Sequence, residues 1–244
     1  MSRATLLAIS LSVALPAITS AQAFEQDTIA TSSGPLVITF IGHASVMFAH
    51  GGKVVHVDPV MREADYRTLP DADLILVTHR HGDHLDTAAI DALRKEGTAV
   101  VVAHDCADAV AGAVVMENGT HRTVQGFPIE AVPAYNIVHK RDNGQAYHPQ
   151  GDGNGYVITF GDTRVYVAGD TENTPEMKTL EAIDVAFLPM NLPYTMTPEM
   201  VADAAKAFRP KILYPYHFGN TDVSQLVRLL EEELGIEVRI RRME

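Results

Sequence analysis

Short apolar segments separated by glycine-containing turns dominate the first quarter of the chain. The segments 36–41, 45–49 and 53–57 have the length and the bounding residues of strands joined by hairpins. The segment 73–77 is apolar at every position after the first, which is typical of a strand buried on both faces. Residues 24–34 show no sustained pattern, and we interpret them as a flexible lead-in. This part of the sequence therefore predicts a sheet.

The first helical pattern follows this sheet. Over 86–96 the apolar positions recur at helical spacing, Asp86 or Thr87 can cap the amino end, and Gly97 can end the helix. A further apolar segment at 99–103 is typical of another buried strand. Strands and helices thus alternate after the hairpins.

The second half of the chain repeats this order. The predicted strands are 124–132, 155–160, 163–167, 184–188 and 211–214. One helix opens at Thr197-Pro198-Glu199, where a capping residue precedes proline, and another spans 222–234 between Thr221 and Gly235. Two packed sheets with helices outside them would bury these apolar faces. The pattern therefore predicts an α/β fold in a single domain.

The chain starts with a pattern that is separate from this domain. One basic residue precedes the apolar stretch 5–18, and small residues at Ala21 and Ala23 follow it. This order is typical of a secretory signal peptide, and the stretch is shorter than the ~20 residues of a transmembrane helix. We therefore expect 1–23 to be a signal peptide and 24–244 the folded domain. The product is expected to be secreted or periplasmic, without stable insertion in a membrane.

The net charge of the chain limits the classes of partner that we expect it to bind. Aspartate and glutamate outnumber lysine and arginine by 31 to 19, which gives a formal net charge of −12 at pH 7. Nucleic-acid binding requires clustered basic residues, so we expect a small-molecule substrate and no nucleic acid partner. Cys106 is the sole cysteine, so no disulfide forms within the chain even if the protein is exported. The sequence leaves the oligomeric state open.

Four candidate metal ligands lie within six residues, directly after the buried strand 73–77; they are His79, His81, Asp83 and His84. His79 and His81 are two residues apart, so both rings point to the same side of an extended backbone and can hold one ion. Asp83 and His84 follow where the chain turns toward the helix. Neutral imidazole and carboxylate suit Zn²⁺, with Mn²⁺ and iron as alternatives. The sequence therefore predicts a metal site, and the aspartate suggests more than one ion.

Two more candidate ligands follow predicted strands in the second half. Asp170 and His217 each come after such a strand, where loops at a sheet edge can reach a common site. Asn191 and 194–196 follow another strand, so they either line the pocket or form a capped loop. The basic residues that could attract an anionic substrate group are Arg80, Lys140 and Arg141.

The ligand cluster resembles the H-x-H-x-D-H signature of the metallo-β-lactamase-fold hydrolases. The resemblance covers roughly 36–220, because further motifs occur in the expected order: Gly42-His43-Ala44-Ser45, Asp58-Pro59, Ala168-Gly169-Asp170-Thr171 and Pro215-Tyr216-His217-Phe218-Gly219. The chain looks most similar to the branch of metal-dependent hydrolases that includes ascorbate-phosphate lactonase-like proteins. This resemblance implies a four-layer αββα sandwich with a dinuclear site at one edge between the sheets.

The resemblance also implies a role for each candidate ligand. His79 and His81 are the ligands implied for the first metal; Asp83, His84 and His217 are those implied for the second, and Asp170 is the bridging carboxylate. The cofactor implied is a pair of divalent ions, with Zn²⁺ preferred over Mn²⁺ or iron.

The resemblance leaves two choices for the third ligand of the first metal. His148 fits best, because His148-Pro149-Gln150-Gly151 resembles the HPxG run of this branch. His139 is the alternative, and Asn136 stands where the family often has its histidine. Asn136 and His139 are otherwise expected to lie around the ligands or the substrate.

Two earlier motif residues are expected to act beside the metals. Asp58 resembles an aspartate that orients a metal ligand in the family. His43 either donates a hydrogen bond to the substrate or a ligand, or only stabilises its own turn. Neither is expected to coordinate a metal.

The expected activity follows from two metal ions that share a water. Such ions lower the pKa of water from ~15.7 toward ~7, so that hydroxide can attack an ester, lactone or phosphodiester at neutral pH. Asp83 or Asp170 would then be the catalytic carboxylate that takes a proton. Alternatives with the same fold are a β-lactamase, an acyl-lactone hydrolase or a lipid phosphodiesterase. An alternative of another class is a di-iron redox protein of this fold.

Overall fold

The structure, a computed structural model, describes residues 23–243. Residues 1–22, which carry most of the predicted signal peptide, lie outside the described part of the chain. Within 23–243, no helix is both long and apolar enough to cross a membrane. The described residues form two seven-stranded sheets that pack against each other.

The first sheet contains the first half of the chain. Its strands, in spatial as well as chain order, are β1 (Glu25–Thr31), β2 (Gly34–Gly42), β3 (Ser45–His50), β4 (Lys53–Val57), β5 (Ala72–Val77), β6 (Arg94–Val102) and β7 (Val114–Val115). β1 to β4 are antiparallel, whereas β4 to β7 are parallel. Helix α1 (Thr87–Leu93) connects β5 to β6, as a parallel pair requires a crossover.

The second sheet repeats this arrangement. Its strands are β8 (His121–Val124), β9 (Phe127–Ala134), β10 (Gly153–Phe160), β11 (Thr163–Val167), β12 (Val185–Pro189), β13 (Ile212–Tyr216) and β14 (Glu237–Val238). β8 to β11 are antiparallel and β11 to β14 are parallel. The helices are α2 (Pro175–Lys178), α3 (Pro198–Phe208) and α4 (Ser224–Leu230).

Strand β5, in the middle of the parallel part of the first sheet, is apolar on both faces. Leu74 and Leu76 belong to the core between the sheets, whereas Ile75 and Val77 pack with the apolar side of α1. All four side chains are fully buried. Burying each aliphatic side chain contributes about 1.5–3 kcal/mol to stability. The histidine cluster therefore continues from a strand whose position is well stabilised.

The outer helices complete four layers. Thr197 caps α3 by accepting a hydrogen bond from the backbone N–H of Met200, and Pro198 begins the helix. At the other end of α3, Phe208 packs edge-on against Tyr166 of β11, with 6.1 Å between ring centroids. The predicted sandwich of two sheets with helices outside is therefore confirmed.

Two predictions about strands are wrong. Residues 24–34 are not a flexible lead-in, because β1 pairs with β2 from Glu25–Phe40 to Thr31–Gly34. As an edge strand it buries only alternate residues partly, so it shows no apolar run. The single predicted strand 124–132 is instead the hairpin of β8 and β9. Gln125 and Gly126 both have positive φ there, 52° and 83°, as a tight hairpin turn requires.

Two predicted helices are shorter than expected. α1 ends at Leu93 rather than Glu96, because β6 already begins at Arg94. α4 runs from Ser224 to Leu230, inside the predicted range 222–234. The predicted cap Thr221 is wrong, because Val223 occupies the cap position without a side-chain hydrogen bond, and the Ser224 N–H donates to the carboxylate of Asp222 at 3.0 Å.

Candidate metal centre

The candidate ligands meet at the edge where the parallel strands of both sheets end. β5 leads directly to Thr78 and His79, β11 leads to Asp170, and β13 leads to His217. The two sheets approach closely here, because a Cβ on Gly169, which follows β11, would lie 2.9 Å from the Cβ of Thr78, which follows β5. Gly169 also has a φ of 65°, so glycine is favoured there on both counts.

Three histidines form the first ligand group, defined as His79, His81 and His148. His81 Nδ1 lies 3.0 Å from His79 Nε2 and 3.2 Å from His148 Nε2. Asp170 Oδ2 completes the group at 3.2 Å from His148 Nε2 and 3.9 Å from His79 Nε2. Four ligands around a tetrahedral Zn²⁺ at about 2.0–2.1 Å would lie about 3.3–3.4 Å apart. The spacing of these atoms therefore fits one ion.

The second ligand group is defined as Asp83, His84 and His217. His217 Nε2 lies 3.6 Å from Asp83 Oδ2, and both His217 Nε2 and His84 Nε2 lie 3.4 Å from Asp170 Oδ1. One carboxylate of Asp170 thus turns one oxygen toward each ligand group. The bridging role of Asp170 stays a prediction, and this placement is what such a role would require.

Buried atoms without a partner indicate what the site can hold. His84 Nε2, His217 Nε2 and Asp170 Oδ1 are buried and make no hydrogen bond. Leaving such groups unpaired costs free energy, and buried polar atoms in proteins are normally satisfied. All three point at one another, and imidazole nitrogen and carboxylate oxygen are ligands for divalent transition metals. A cation bound between them would satisfy all three at once.

Asp58 fixes which nitrogen of His84 is free for a ligand. Its fully buried carboxylate accepts hydrogen bonds from the Thr78 backbone N–H, from Thr78 Oγ1 and from His84 Nδ1 at 2.7–2.8 Å. Because Nδ1 of His84 is bonded to Asp58, Nε2 is the nitrogen that faces the site and can bind a cation once its proton is displaced. Thr78 Oγ1 lies 3.1 Å from His79 Nδ1 and sets the same tautomer there. Asp58 therefore acts on both ligand groups, as a positioning residue and not as a ligand.

Asn136 fixes His148 in the same way. Its Oδ1 accepts from both the backbone N–H and Nδ1 of His148, each at 2.8 Å, which leaves His148 Nε2 free. The amide cannot turn over, because its Nδ2 donates to the Tyr194 carbonyl at 2.8 Å and to Glu172 at 3.2 Å. Asn136, which stands where the family often has a histidine, thus orients His148, a histidine that comes 12 residues later in the chain.

Glu172 holds the loop on which Asn136 lies. Its buried carboxylate accepts from the backbone N–H groups of Ile137, Val138 and His139 at 2.7–2.8 Å. Burial alone would raise the pKa of Glu172, but these hydrogen bonds lower it below its usual value, so the group stays ionised. The sequence prediction missed Glu172. A carboxylate two residues after a ligand carries no separate signal, because its partners are backbone groups of a distant loop.

His139 is placed away from the first ligand group. Its Nδ1 lies 2.9 Å from Glu172 and from the Thr195 carbonyl oxygen, and it belongs to neither cluster of metal-binding side chains within 23–243. The geometry therefore favours His148 over His139 as the third ligand of the first metal. That assignment stays a prediction until metal content is measured.

The His43 side chain contacts two members of the second ligand group. Its Nε2 is 3.2 Å from Asp83 Oδ2, and its ring packs 3.8 Å from the His217 ring. His43, Asp58 and His217 each have a positive φ between 45° and 50°. Non-glycine residues rarely adopt this conformation, and it clusters at functional sites because the surrounding structure must hold it in place.

The close packing of histidines and carboxylates in the site shifts their pKa values. Burial and the neighbouring imidazoles hold the pKa of His79 well below its usual range, so its ring is neutral at pH 7. Burial would also lower the pKa of His84, but the carboxylates of Asp170 and Asp58 raise it to about 9. The imidazoles around Asp170 outweigh its burial and hold the pKa of that carboxyl well below the usual value. The site thus offers ionised carboxylates to a cation, which has to displace a proton from His84.

A cavity of about 320 Å³ opens onto both ligand groups. Asn191 and Tyr194, which the sequence left as pocket or loop residues, both line it. Its other lining residues are His81, Asp83, Arg141, Tyr147, His148, Asp170 and His217. Of the three basic residues predicted to attract an anion, Arg141 is the one that reaches this cavity.

Comparison with known proteins places this site in a family. Residues 37–217 match the sequence model of the beta-lactamase superfamily domain. A UPF0173 metal-dependent hydrolase of Methanopyrus kandleri is 31% identical over 220 residues, which cover 83% of this chain and 94% of that protein. The matched range 37–217 includes every residue of both ligand groups.

Solved structures agree with the sequence matches. A crystal structure from Parabacteroides distasonis, whose name as a metal-dependent hydrolase is provisional, is 48% identical with a TM-score of 0.86, over 91% of this chain and all (100%) of that one. The metallo hydrolase Igni18 of Ignicoccus hospitalis is 25% identical with a TM-score of 0.70, over 86% of this chain and 96% of that one. The chain therefore belongs to the beta-lactamase superfamily, as a metal-dependent hydrolase of the metallo-β-lactamase fold.

Proposed function

We propose that the protein uses two metal ions to hydrolyse a small-molecule ester, lactone or phosphodiester. The observation that carries this proposal is the carboxylate of Asp170, whose two oxygens face two separate ligand groups. The first ligand group would hold one ion and the second ligand group the other, with Asp170 between them. When bound, such ions supply a hydrolytic nucleophile at neutral pH and polarise the bond to be broken.

The two carboxylates predicted to be catalytic have different surroundings. Asp170 is only 4% exposed in its side chain, and both of its oxygens face ligand histidines, so we assign it to holding the metals. The Asp83 side chain is 34% exposed and lines the cavity. A proton that reaches Asp83 Oδ2 can be shared with His43 Nε2, which is 3.2 Å away. We therefore assign proton transfer to Asp83 and His43.

The test is metal-dependent turnover. Purified protein, stripped with a chelator and then reloaded with Zn²⁺, Mn²⁺ or Fe²⁺, is assayed with an aryl ester, a lactone, an aryl phosphodiester and a β-lactam. The proposal expects no turnover by the stripped protein and restored turnover of at least one of the first three compounds. Turnover of the β-lactam alone would favour the β-lactamase alternative. Iron retention with no hydrolysis in any metal form would contradict the proposal and favour the di-iron redox alternative.

We also propose that the protein is exported, on the basis of the sequence of residues 1–23 alone. The amino-terminal sequence of the protein recovered from cell fractions tests this. A chain that begins at Phe24 in the periplasm or the medium is expected, and a chain that keeps Met1 to Ala23 in the cytoplasm would contradict it.

A further inference from the structure

The cavity that opens onto both ligand groups has one arginine in its lining, Arg141, and no acidic residue within 23–243 forms an ion pair with it; Arg80 lines a separate cavity beside the first ligand group. Arg141 lines the cavity together with His81, Asp83 and His148. Most arginines within 23–243 form ion pairs, for example Arg164 with Glu130 and Arg209 with Glu233. No carboxylate in that range pairs with Arg141, although the chain carries an excess of acids.

Hydrogen bonds of a turn, rather than an ion pair, hold Arg141 in place. Its N–H donates to the Gln145 carbonyl at 2.7 Å, and its own carbonyl accepts from the Gly144 N–H at 2.8 Å. The guanidinium lies 5.0 Å from the centre of the Tyr147 ring, and its Nη2 donates to the Tyr147 carbonyl at 3.3 Å. A guanidinium has five N–H donors, so most remain available to a ligand in the cavity.

Tyrosine rings form the wall beside this cation. Tyr147 and Tyr194 both line the cavity, and their rings meet edge-on with 5.0 Å between centroids. Tyr194 is 45% exposed, which is unusual for a large ring on a fixed loop. The loop is fixed because the Tyr194 carbonyl accepts from Asn136, and the Thr195 carbonyl oxygen lies 2.9 Å from His139 Nδ1. An exposed aromatic wall next to a charged site is suited to a ligand with an apolar part.

We propose that the substrate of this site is a small molecule that carries a carboxylate or phosphate next to an aromatic or similar apolar group, with Arg141 binding the anion and the two tyrosines packing on the apolar group. The inference rests on the proposed function, because it places this substrate at the same metal centre. The guanidinium fork pairs with two oxygens of either anion. A cavity of about 320 Å³ is at the small end of ligand sites, so the substrate is a compact molecule rather than a polymer.

The experiment compares two esters that differ by one charge. Values of kcat/KM are measured for phenyl acetate and 4-acetoxybenzoate with the metal-loaded wild-type protein and the Arg141→Gln variant. The variant is expected to lose ~10- to 100-fold with the anionic ester and less than about twofold with the neutral one, as for loss of a charge-assisted hydrogen bond. Arg141→Lys is expected to recover part of the loss, because it keeps the charge but not the fork.

Arg122→Gln is the matched control. Arg122 is also exposed and lies on β8, lining a different groove, and its removal changes the net charge by the same amount. It is expected to leave both esters unchanged. Equal losses in the two glutamine variants would mean that general electrostatic attraction, not a site at Arg141, selects the anion, and would overturn the inference.

A binding measurement separates this inference from the proposed function. The dissociation constants of benzoate and phenylphosphonate, which the protein cannot hydrolyse as esters, are measured by calorimetry with wild type and Arg141→Gln. Weaker binding of either anion to the variant supports the inference even if no ester is turned over, and the tighter of the two identifies the anion type. Turnover of the esters with unchanged anion binding and unchanged selectivity in Arg141→Gln would overturn the inference and leave the proposed function intact.

Discussion

The two ligand groups are assembled in different ways although they share Asp170. The second ligand group consists of residues that follow β5 and β13, and Asp58, directly after β4, orients its His84. The first ligand group takes His79 and His81 from the same segment after β5, but its third histidine, His148, comes from the long connection between β9 and β10, where Asn136 and Glu172 hold it. The second group is therefore supplied entirely by segments that follow parallel strands, whereas the first is completed by a loop that needs hydrogen bonds of its own.

Replacing Asp170 should have the largest effect, because both groups use it. Asp170→Asn keeps the shape but removes the charge that faces four histidine nitrogens. We expect loss of both metals and a fall in kcat/KM of more than about 100-fold, beyond the range for residues that only orient ligands. Metal analysis and ester hydrolysis measure both quantities. A variant that still bound two metals would remove Asp170 from the shared position.

Asp58→Asn should weaken both groups without removing a ligand. The change leaves His84 Nδ1 and Thr78 Oγ1 without a carboxylate acceptor, so the tautomers of His84 and His79 are no longer fixed. Affinity for both metals should fall by about 10- to 100-fold. Competition with a coloured chelator measures this fall. Loss confined to one metal would show that Asp58 acts on one group alone.

Glu172→Gln should weaken metal binding in the first ligand group and leave the second ligand group unaffected. The neutral amide cannot accept as strongly from the N–H groups of Ile137, Val138 and His139, so the loop that orients His148 loosens. We expect the affinity for one metal to fall by about 10-fold or more while the other is retained.

Glu176→Gln is the control for Glu172→Gln, since this nearby carboxylate accepts a single hydrogen bond, from Tyr135, and touches no ligand. It should leave the affinity for both metals unchanged. If Glu172→Gln and Glu176→Gln behaved alike, the loop would not need this support and the contrast between the two groups would disappear.

Asp27 gives the smallest effect and a reference far from both groups. Burial raises its pKa, but hydrogen bonds from Arg241 and Tyr214 outweigh this and hold the pKa below the usual value. A carboxyl with a lowered folded pKa adds stability above its unfolded pKa, near 3.9, and loses it as the pH falls through the folded value. Asp27→Asn should therefore cost about 1 kcal/mol or less at pH 7, because partial exposure screens the pairs.

Thermal unfolding at pH 7 and at pH 3 measures this difference. The wild type and Asp27→Asn should differ at pH 7, and the difference should shrink in acid. Metal affinity should be unchanged in the variant. A difference that grew in acid would contradict the assigned direction of the pKa.

The sequence predicted the sheet-derived part of the site more completely than the loop-derived part. The cluster from His79 to His84 follows an apolar strand, so the sequence alone indicated both the spacing of these ligands and their place at the end of a strand. The fold was readable too, because buried strands such as β5 are apolar along their whole length. Strand β1 was missed because an edge strand has no such run.

The choice between His148 and His139 needed contacts that no local pattern encodes. Both histidines lie in the same connection; the Asn136 amide is oriented to accept from His148, whereas the His139 ring lies 2.9 Å from Glu172 and from the Thr195 carbonyl oxygen. That orientation depends on Glu172 and on the Tyr194 carbonyl, which come from later parts of the chain. The same holds for Arg141, whose motif is unremarkable until the turn brings it over Tyr147.

The account is tested most directly by the metal-to-protein ratio of the wild type and of His148→Ala, measured by mass spectrometry of the elements after dialysis against trace metal. The account predicts two ions per chain in the wild type and one in the variant, which keeps the second ligand group with Asp170. A ratio of one in the wild type, or an unchanged ratio of two in His148→Ala, would contradict it.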